Sequence, residues 1–166
     1  MTRSFRLALA FAMLPLAIAC NNSSSTGSPN GPSSSRAALS LSIQPSPITA
    51  THCDAGCSGS SGTSFGFGAE MRVNVRESGG VGATVNTVTL NATVDGVSFP
   101  PLVFNADDVT RAAGTNHVGA NATLAIPLSI VYNTPSGTAN LTISLNVQTT
   151  DDRNNQVTAT GQVNVQ

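Results

Sequence analysis

The sequence predicts an all-β fold, a single antiparallel sandwich of seven or eight short strands that follows a signal peptide and a disordered linker. Three observations support this prediction. Apolar and polar residues alternate through most of residues 39–166, turn residues separate the alternating runs, and only one short stretch looks helical. Alternation with period two is typical of strands that bury one face, and many such strands joined by turns favour a sandwich.

Residues 1–19 have the composition of an export signal. Arg3 and Arg6 precede an apolar run over residues 7–19, which is too short and too interrupted by Pro15 to span a bilayer. Such a segment is removed on maturation. The sequence therefore predicts an exported protein.

Cys20 follows the sequence LAIA and precedes small polar residues. Residues 16–20 resemble the lipobox of bacterial lipoproteins, which implies that Cys20 is lipidated, becomes the new N-terminus and anchors the protein to a membrane of the bacterial cell envelope. Asn21, in place of Asp, implies the outer membrane. Ala17 and Ala19 also satisfy the A-x-A rule for ordinary secretion, which would give a soluble periplasmic or secreted protein. Both interpretations predict cleavage before Cys20.

The segment after Cys20 is predicted to be a tether. Residues 21–35 are all Asn, Ser, Thr, Gly or Pro, and this composition cannot bury apolar surface. As a flexible coil the segment has an r.m.s. span of roughly 20 Å. We therefore expect a signal peptide over residues 1–19, a tether over residues 20–38 and a sandwich over residues 39–166.

The first strands of the sandwich follow from the alternation. Residues 39–43 predict one strand and residues 65–76 a second. A third covers residues 83–94, in which the apolar positions change from odd to even numbers. Since one extra residue switches the face of a strand, we predict a bulge near Asn86 and Thr87.

The second half of the sandwich contains turn, helix and strand signals. Asp95 and Gly96 predict a tight turn before a short return strand over residues 97–99. A short helix is predicted only within residues 105–114, which carry acids early and end in glycine. Alternation then predicts the last strands, with Pro127 placing the first of them at an edge or a bulge; they cover residues 124–132, 141–147 and 157–165.

The last two strands flank a polar turn over residues 151–155, with the sequence DDRNN. This strand–turn–strand pattern resembles the end of bacterial immunoglobulin-like domains, whose turn has the form D-x-x-G-N. The resemblance covers the C-terminal two-thirds and implies an immunoglobulin-like sandwich without a catalytic motif. Asn154 stands where that family prefers Gly, and asparagine tolerates the left-handed conformation.

Cys53 and Cys57 remain as an even pair if Cys20 carries lipid. In an oxidising compartment we expect a disulfide between them. So short a loop contributes roughly 2 kcal/mol, so the bridge would stabilise a local turn.

Few side chains could bind a metal ion. Imidazole and thiolate suit copper or zinc, and loop carboxylates suit calcium; the candidates are His52 with Cys53 and Cys57, His117 recruited from a distance, and the pairs Asp107 with Asp108 and Asp151 with Asp152. Acids at turns more often cap helices or accept backbone hydrogen bonds. We therefore expect the disulfide and no metal or cofactor.

Composition limits the function. Without residues 1–19 the chain has five arginines, no lysine and eight acids, a net charge of −3, which opposes nucleic-acid binding. Few aromatics and no tryptophan argue against a carbohydrate platform, and no nucleophile motif indicates an enzyme. We expect a non-catalytic, lipid-anchored envelope protein whose sandwich is a structural or protein-interaction module. The alternative is a ligand- or metal-binding module that uses the Cys53–Cys57 loop or the Asp-rich turns.

Overall fold

The computed structural model of the chain describes residues 36–58, 64–94, 96–134, 137 and 140–166. The predicted signal peptide, Cys20, the tether up to residue 35 and Asp95 lie outside the described residues. Within the described ranges, no helix has both the length and the apolar character needed to cross a membrane.

The described residues form ten strands and one helix. In chain order these are β1 (Leu39–Gln44), β2 (Thr51–Ser58), β3 (Ser64–Glu77), β4 (Ala83–Val94), β5 (Val97–Ser98), β6 (Leu102–Asn105), α1 (Ala106–Ala113), β7 (His117–Val118), β8 (Thr123–Tyr132), β9 (Leu141–Asp151) and β10 (Gln156–Val165). Seven strands have six residues or more, and β5, β6 and β7 have two to four. The predicted all-β antiparallel sandwich is confirmed.

β3 is the central strand of the first sheet. β8 pairs antiparallel with one edge of β3. β2 and β1 pair in succession with the other edge, β2 with residues 64–68 and β1 with residues 72–77. β3 therefore runs the whole height of this sheet. Pro127 lies on β8 opposite Arg72, and since β8 pairs only with β3 among the described strands, the predicted edge position is confirmed.

The second sheet has the order β10-β9-β4. Along the other edge of β4, the short strands β7, β6 and β5 pair in turn with residues 83–84, 87–90 and 93–94. β5 is the predicted return strand. β6 and β7 were not predicted, because two to four residues are too few to display a period.

The predicted bulge in β4 is confirmed. Val85 pairs with Thr149 and Thr87 with Gln148, so Asn86 is the extra residue. Its side-chain amide donates to the Thr150 hydroxyl at 2.8 Å. The insertion changes the parity of the strand, so that the apolar residues on both sides of Asn86 point into the core.

The core lies between the two sheets. Most of its buried positions are those that the alternation predicts; the fully buried ones include Val73, Val75, Val85, Ile126 and Ile143. At one side α1 packs against β4 and β8, and thereby covers the gap between an edge of each sheet. Its Val109 is buried in the core. Covering an edge with a helix protects it from pairing with other chains.

The ends of α1 explain why the helix is so short. The Asn105 side chain accepts hydrogen bonds from the backbone amides of Asp107 and Asp108, and the Asp108 carboxylate accepts from the Asn105 amide, which forms a capping box. Gly114 ends the helix at φ 81°, in the left-handed region. The helix predicted within residues 105–114 is confirmed.

Residues 48–50 link the two sheets. They lie between β1 and β2, which belong to the first sheet, yet they pair in parallel with the end of β10 in the second. Ile48 donates to Asn164 O at 2.9 Å and accepts from Gln166 N at 3.0 Å, and Ala50 donates to Gln166 O at 2.9 Å. An early segment of the sandwich is thus fastened to its last strand.

We expect Asn105→Ala to lower the free energy of unfolding by about 1 kcal/mol, because it removes the acceptor for two amides at the start of α1. Urea unfolding followed by circular dichroism measures this change. Asn91→Ala, which removes an exposed amide from β4, is the control and should change stability less. Equal losses in the two variants would contradict the assigned role of the cap.

Candidate functional site

The chemically distinctive side chains of the described residues lie at opposite ends of the sandwich. We call the end with residues 36–38, Glu77 and Asp151 the junction end. We call the end with the pair Cys53 and Cys57 the disulfide end. β3 connects them: it begins beside β2 at the disulfide end and reaches the junction end at Glu77, a distance of roughly 40 Å for its length.

Glu77 is a fully buried carboxylate, with 0% of its surface exposed. Its oxygens accept four backbone N–H groups: Ala38 at 3.2 Å, Gly79 at 2.5 Å, Gly80 at 3.0 Å and Asn121 at 2.8 Å. Burial by itself would raise the pKa of Glu77, but these donors stabilise the ionised form and hold the pKa below its ordinary value. Glu77 is therefore a charged core residue that organises the backbone around it.

Asp151 is the second buried carboxylate, only 2% exposed. It accepts the backbone N–H groups of Ala37 at 3.1 Å, Arg153 at 2.9 Å and Asn155 at 2.8 Å, and the side-chain amide of Asn155 at 3.0 and 3.1 Å. Burial opposes ionisation, yet the donors from Asn155, Ala37 and Arg153 lower the pKa of Asp151 to about 2. Asn154 has φ 65° in this turn, as its sequence position predicts.

The two carboxylates fix consecutive residues at the start of the sandwich. Ala37 binds Asp151 and Ala38 binds Glu77. Ala37 is 6% exposed and belongs to the core. The Arg36 guanidinium donates to the Gln156 carbonyl. Residues 36–38, which the sequence analysis assigned to the tether, are thus bound to the sandwich, and we call them the junction.

Sequence reasoning missed Glu77 as a site residue, although a signal was present. Glu77 continues the odd-numbered, inward-facing positions of β3, after Val73 and Val75. Asp151 continues those of β9 in the same way, after Val147 and Thr149. An acid that continues an apolar face is expected to be buried, and a buried acid needs hydrogen-bond donors.

The other acid of the last turn, Asp152, pairs with His117. The Asp152 carboxylate lies 3.1 Å from His117 Nε2, and both side chains are about half exposed. Both pack closely over Gly82, where an added Cβ would collide with the Asp152 carboxylate. His117, the only histidine that could be recruited from a distance to the cysteines, therefore lies at the junction end, away from Cys53 and Cys57.

The disulfide end carries an aromatic group on β2, β3 and β8. The rings of His52 and Phe67 meet edge to face with centroids 5.4 Å apart, and Phe67 stacks with Tyr132 at 5.6 Å. Burial raises the pKa of Tyr132. His52 Nδ1 lies 2.9 Å from an oxygen of Asp54, but these side chains are 64% and 99% exposed, so the pair contributes little stability.

The structure contains the predicted disulfide between Cys53 and Cys57. It lies within β2, a strand that the sequence did not predict because residues 51–58 lack apolar alternation. The pairing register with β3 shifts between His52 and Cys57, so the bridge closes a bulge in the strand. It packs over Gly68, where an added Cβ would be 3.2 Å from Cys57 Sγ.

The carboxylates considered for calcium have other partners. Asp108 caps α1 and also pairs with Arg111 at 2.9 Å, and Asp107 lies beside it in the first turn. Asp151 is buried and accepts backbone amides, whereas Asp152 is half exposed and pairs with His117. In the part of the chain that the structure describes, no three His, Cys, Asp or Glu side chains are grouped so that they could hold a metal ion.

Comparison with known proteins concerns the fold only. No family model matches this chain, and no curated protein matches it either. Among solved structures, it is similar to a Northeast Structural Genomics Consortium target named SoR45, with a TM-score of 0.56, 8% identity, and coverage of 76% of this chain and 85% of that one. At this identity the likeness extends to the fold and no further.

A second solved structure is a weaker match. It is the CARDB domain of the PF1109 protein from Pyrococcus furiosus, solved in complex with di-metal ions. The TM-score is 0.38 at 16% identity, with coverage of 78% of this chain and 89% of that one. We draw no conclusion about this chain from that complex.

We expect the protein to lose stability as the pH falls from about 4 to about 2. Asp151 has an ordinary pKa of 3.8 and a folded pKa of about 2, and a lowered pKa contributes stability that is present above the ordinary value and lost as the pH falls through the folded one. The Glu77 pKa is shifted in the same direction. Urea unfolding at pH 7, 4, 3 and 2 measures the effect.

The variant Asp151→Asn should be less stable than the wild type at pH 7 and should lose less stability between pH 4 and pH 2. Asp107→Asn is the matched control, because Asp107 is an exposed acid of α1; it should keep the wild-type dependence on pH. A wild-type slope in Asp151→Asn would show that Asp151 does not carry the acid sensitivity.

We expect the double variant Cys53→Ser, Cys57→Ser to fold and to be roughly 2 kcal/mol less stable, because the bridge closes only a short loop within β2. Thermal unfolding followed by circular dichroism, with and without a reductant for the wild type, measures this. Failure of the double variant to fold would mean that the bridge supports the whole sandwich.

Proposed function

We propose that this protein is a non-catalytic module of the bacterial cell envelope, of immunoglobulin-like type, held at a membrane by a lipid on Cys20. Its sandwich acts as a structural or protein-interaction element at the end of a polar tether. The lipobox-like residues 16–20 and the composition of residues 21–35 support the anchor. Asn21 supports the outer membrane as its location.

The observation that carries the proposal is the junction. The first few residues of most domains are poorly ordered unless they are tied down. Here two buried carboxylates, Glu77 and Asp151, bind the amides of Ala38 and Ala37, directly after the polar residues 21–35. Burying a charge is costly without compensating donors. A fold that holds its entry point in this way suits a domain that is attached through that point.

The disulfide end offers a surface for a protein partner. It lies roughly 40 Å from the junction end along β3. The chemistry there consists of the Cys53–Cys57 bridge and the rings of His52, Phe67 and Tyr132.

A non-catalytic role is supported by the sequence, which has no recognisable nucleophile motif. In nucleophilic catalysis a base activates the nucleophile and is itself oriented by a third group. His52 pairs with the exposed Asp54 and His117 with Asp152, and no nucleophile motif accompanies either pair. The aromatic group at the disulfide end favours the alternative function, a ligand- or metal-binding module that uses an end loop.

We expect Cys20→Ala to move the protein from the membrane fraction to the soluble fraction almost completely. Membrane fractionation of the exported protein, followed by immunoblotting, measures this. The double variant Cys53→Ser, Cys57→Ser is the control, because it also removes thiols but keeps Cys20, and it should stay with the membrane. If Cys20→Ala remains membrane-bound at the wild-type level, the lipid anchor is wrong.

Two further measurements separate the module types. Metal analysis of the purified, folded protein should find no stoichiometric copper, zinc or calcium, and finding one of these metals would favour the alternative. Crosslinking in the native envelope, followed by mass spectrometry, should then identify a protein partner or a structural neighbour of the sandwich.

A further inference from the structure

Arg36 has a singular position in the sequence. The chain contains no lysine, and Arg36 is the only arginine between Arg6 and Arg72. For a protease that cleaves after basic residues, the Arg36–Ala37 bond is therefore the one place where a cut separates Cys20 from an intact sandwich. In that reaction water adds across the amide, the C–N bond breaks, and the products carry a carboxylate on Arg36 and an amine on Ala37.

The bond after Arg36 is held inside the junction. Its N–H, which belongs to Ala37, donates to Asp151 Oδ2 at 3.1 Å, and Ala37 itself is buried. On the other side of the bond, the Arg36 guanidinium donates to the carbonyl of Gln156. A protease needs an accessible, extended segment on both sides of the bond that it cuts, so these contacts must open first.

The residues that follow the bond are also held by hydrogen bonds. Ala38 donates to Glu77 Oε1 at 3.2 Å, and its carbonyl accepts from the backbone and the hydroxyl of Ser78 at 3.0 and 3.3 Å. β1 begins at the next residue, Leu39, already paired with Glu77. Gly79 packs against this segment so closely that an added Cβ would lie 3.0 Å from Ala38 N.

We propose that the junction is a latched cleavage site for trypsin-like proteases. Asp151 and Glu77 close the latch by holding the amides of Ala37 and Ala38, and the sandwich stays attached to whatever precedes residue 36 for as long as they do. Release of the sandwich is governed by local opening of residues 36–38, and the folded parts of β1 and β3 remain intact. That the released part leaves a membrane rests on the proposed function; the latch itself does not.

The test uses the full exported protein, purified in detergent and treated with trypsin at neutral pH. Mass spectrometry follows the product that begins at Ala37. We expect the wild type to be cut after Arg36 at least about tenfold more slowly than a synthetic peptide of residues 30–42, and Asp151→Asn to be cut there at least about tenfold faster than the wild type. When opening is rapid, proteolysis follows the population of the open form, which the loss of a charged hydrogen bond increases by about this factor.

Two other variants isolate the latch. Gly79→Ala crowds Ala38 but keeps both carboxylates and the backbone amide that donates to Glu77, and it should also be cut faster. Asp107→Asn removes an exposed acid of the first turn of α1, outside the junction, and should be cut at the wild-type rate. Cleavage after Arg72 and Arg76, which lie in β3, reports global unfolding in the same digest and should stay slow in every variant.

The outcomes are distinct. Cleavage of the wild type at the rate of the peptide overturns the latch, as does an unchanged rate in both Asp151→Asn and Gly79→Ala when cleavage in β3 stays slow. If Asp151→Asn unfolds, cuts after Arg36 and Arg72 appear together. The proposal then depends on Gly79→Ala, in which faster cleavage after Arg36 supports the latch and an unchanged rate overturns it. The same digest of Cys20→Ala should give the wild-type rates, so a failure of the lipid anchor in fractionation leaves the test of the latch intact.

Discussion

Two ionised carboxylates in the interior determine how one end of this sandwich is built. Glu77 gathers backbone amides from the start of the fold, from the turn after β3 and from the loop before β8. Asp151 gathers amides from the start of the fold and from the turn before β10. A buried charge is tolerated only when donors surround it, and here the donors are backbone groups that lie outside the strands. The turns at this end therefore depend on the two acids for their conformation.

Much of the fold could be predicted from the sequence because alternation reports directly on which face of a strand is buried. The change of parity around Asn86 located a bulge, and the early acids and terminal glycine located α1 between Asn105 and Gly114. β2 escaped detection because residues 51–58 have no apolar period; its pairing with β3 is a tertiary property. The burial of Ala37 was not predicted for a similar reason, since an alanine beside a polar linker carries no local sign of burial.

The candidate site was harder to predict, because it depends on which strands are neighbours. The sequence allows His117 to reach the cysteines from a distance, but the pairing of β7 with β4 puts it beside Asp152 instead. Sequence spacing did identify what is local: the Cys53–Cys57 bridge and the Asp108 cap both involve residues within a few positions of each other. Contacts across the sandwich require the topology, which single-sequence patterns do not contain.

The contact between Ala37 and Asp151 joins residues that are 114 positions apart in the chain, and this separation has a consequence for the order of folding. A synthesised chain emerges with its N-terminal part first. Residues 36–38 therefore cannot bind Asp151 until β9 and the turn after it have formed. Contacts of such long range form late and slow the folding of β proteins. The junction can therefore form only after β9 and the turn that follows it are in place, so its closure is among the last steps in the assembly of this end of the sandwich.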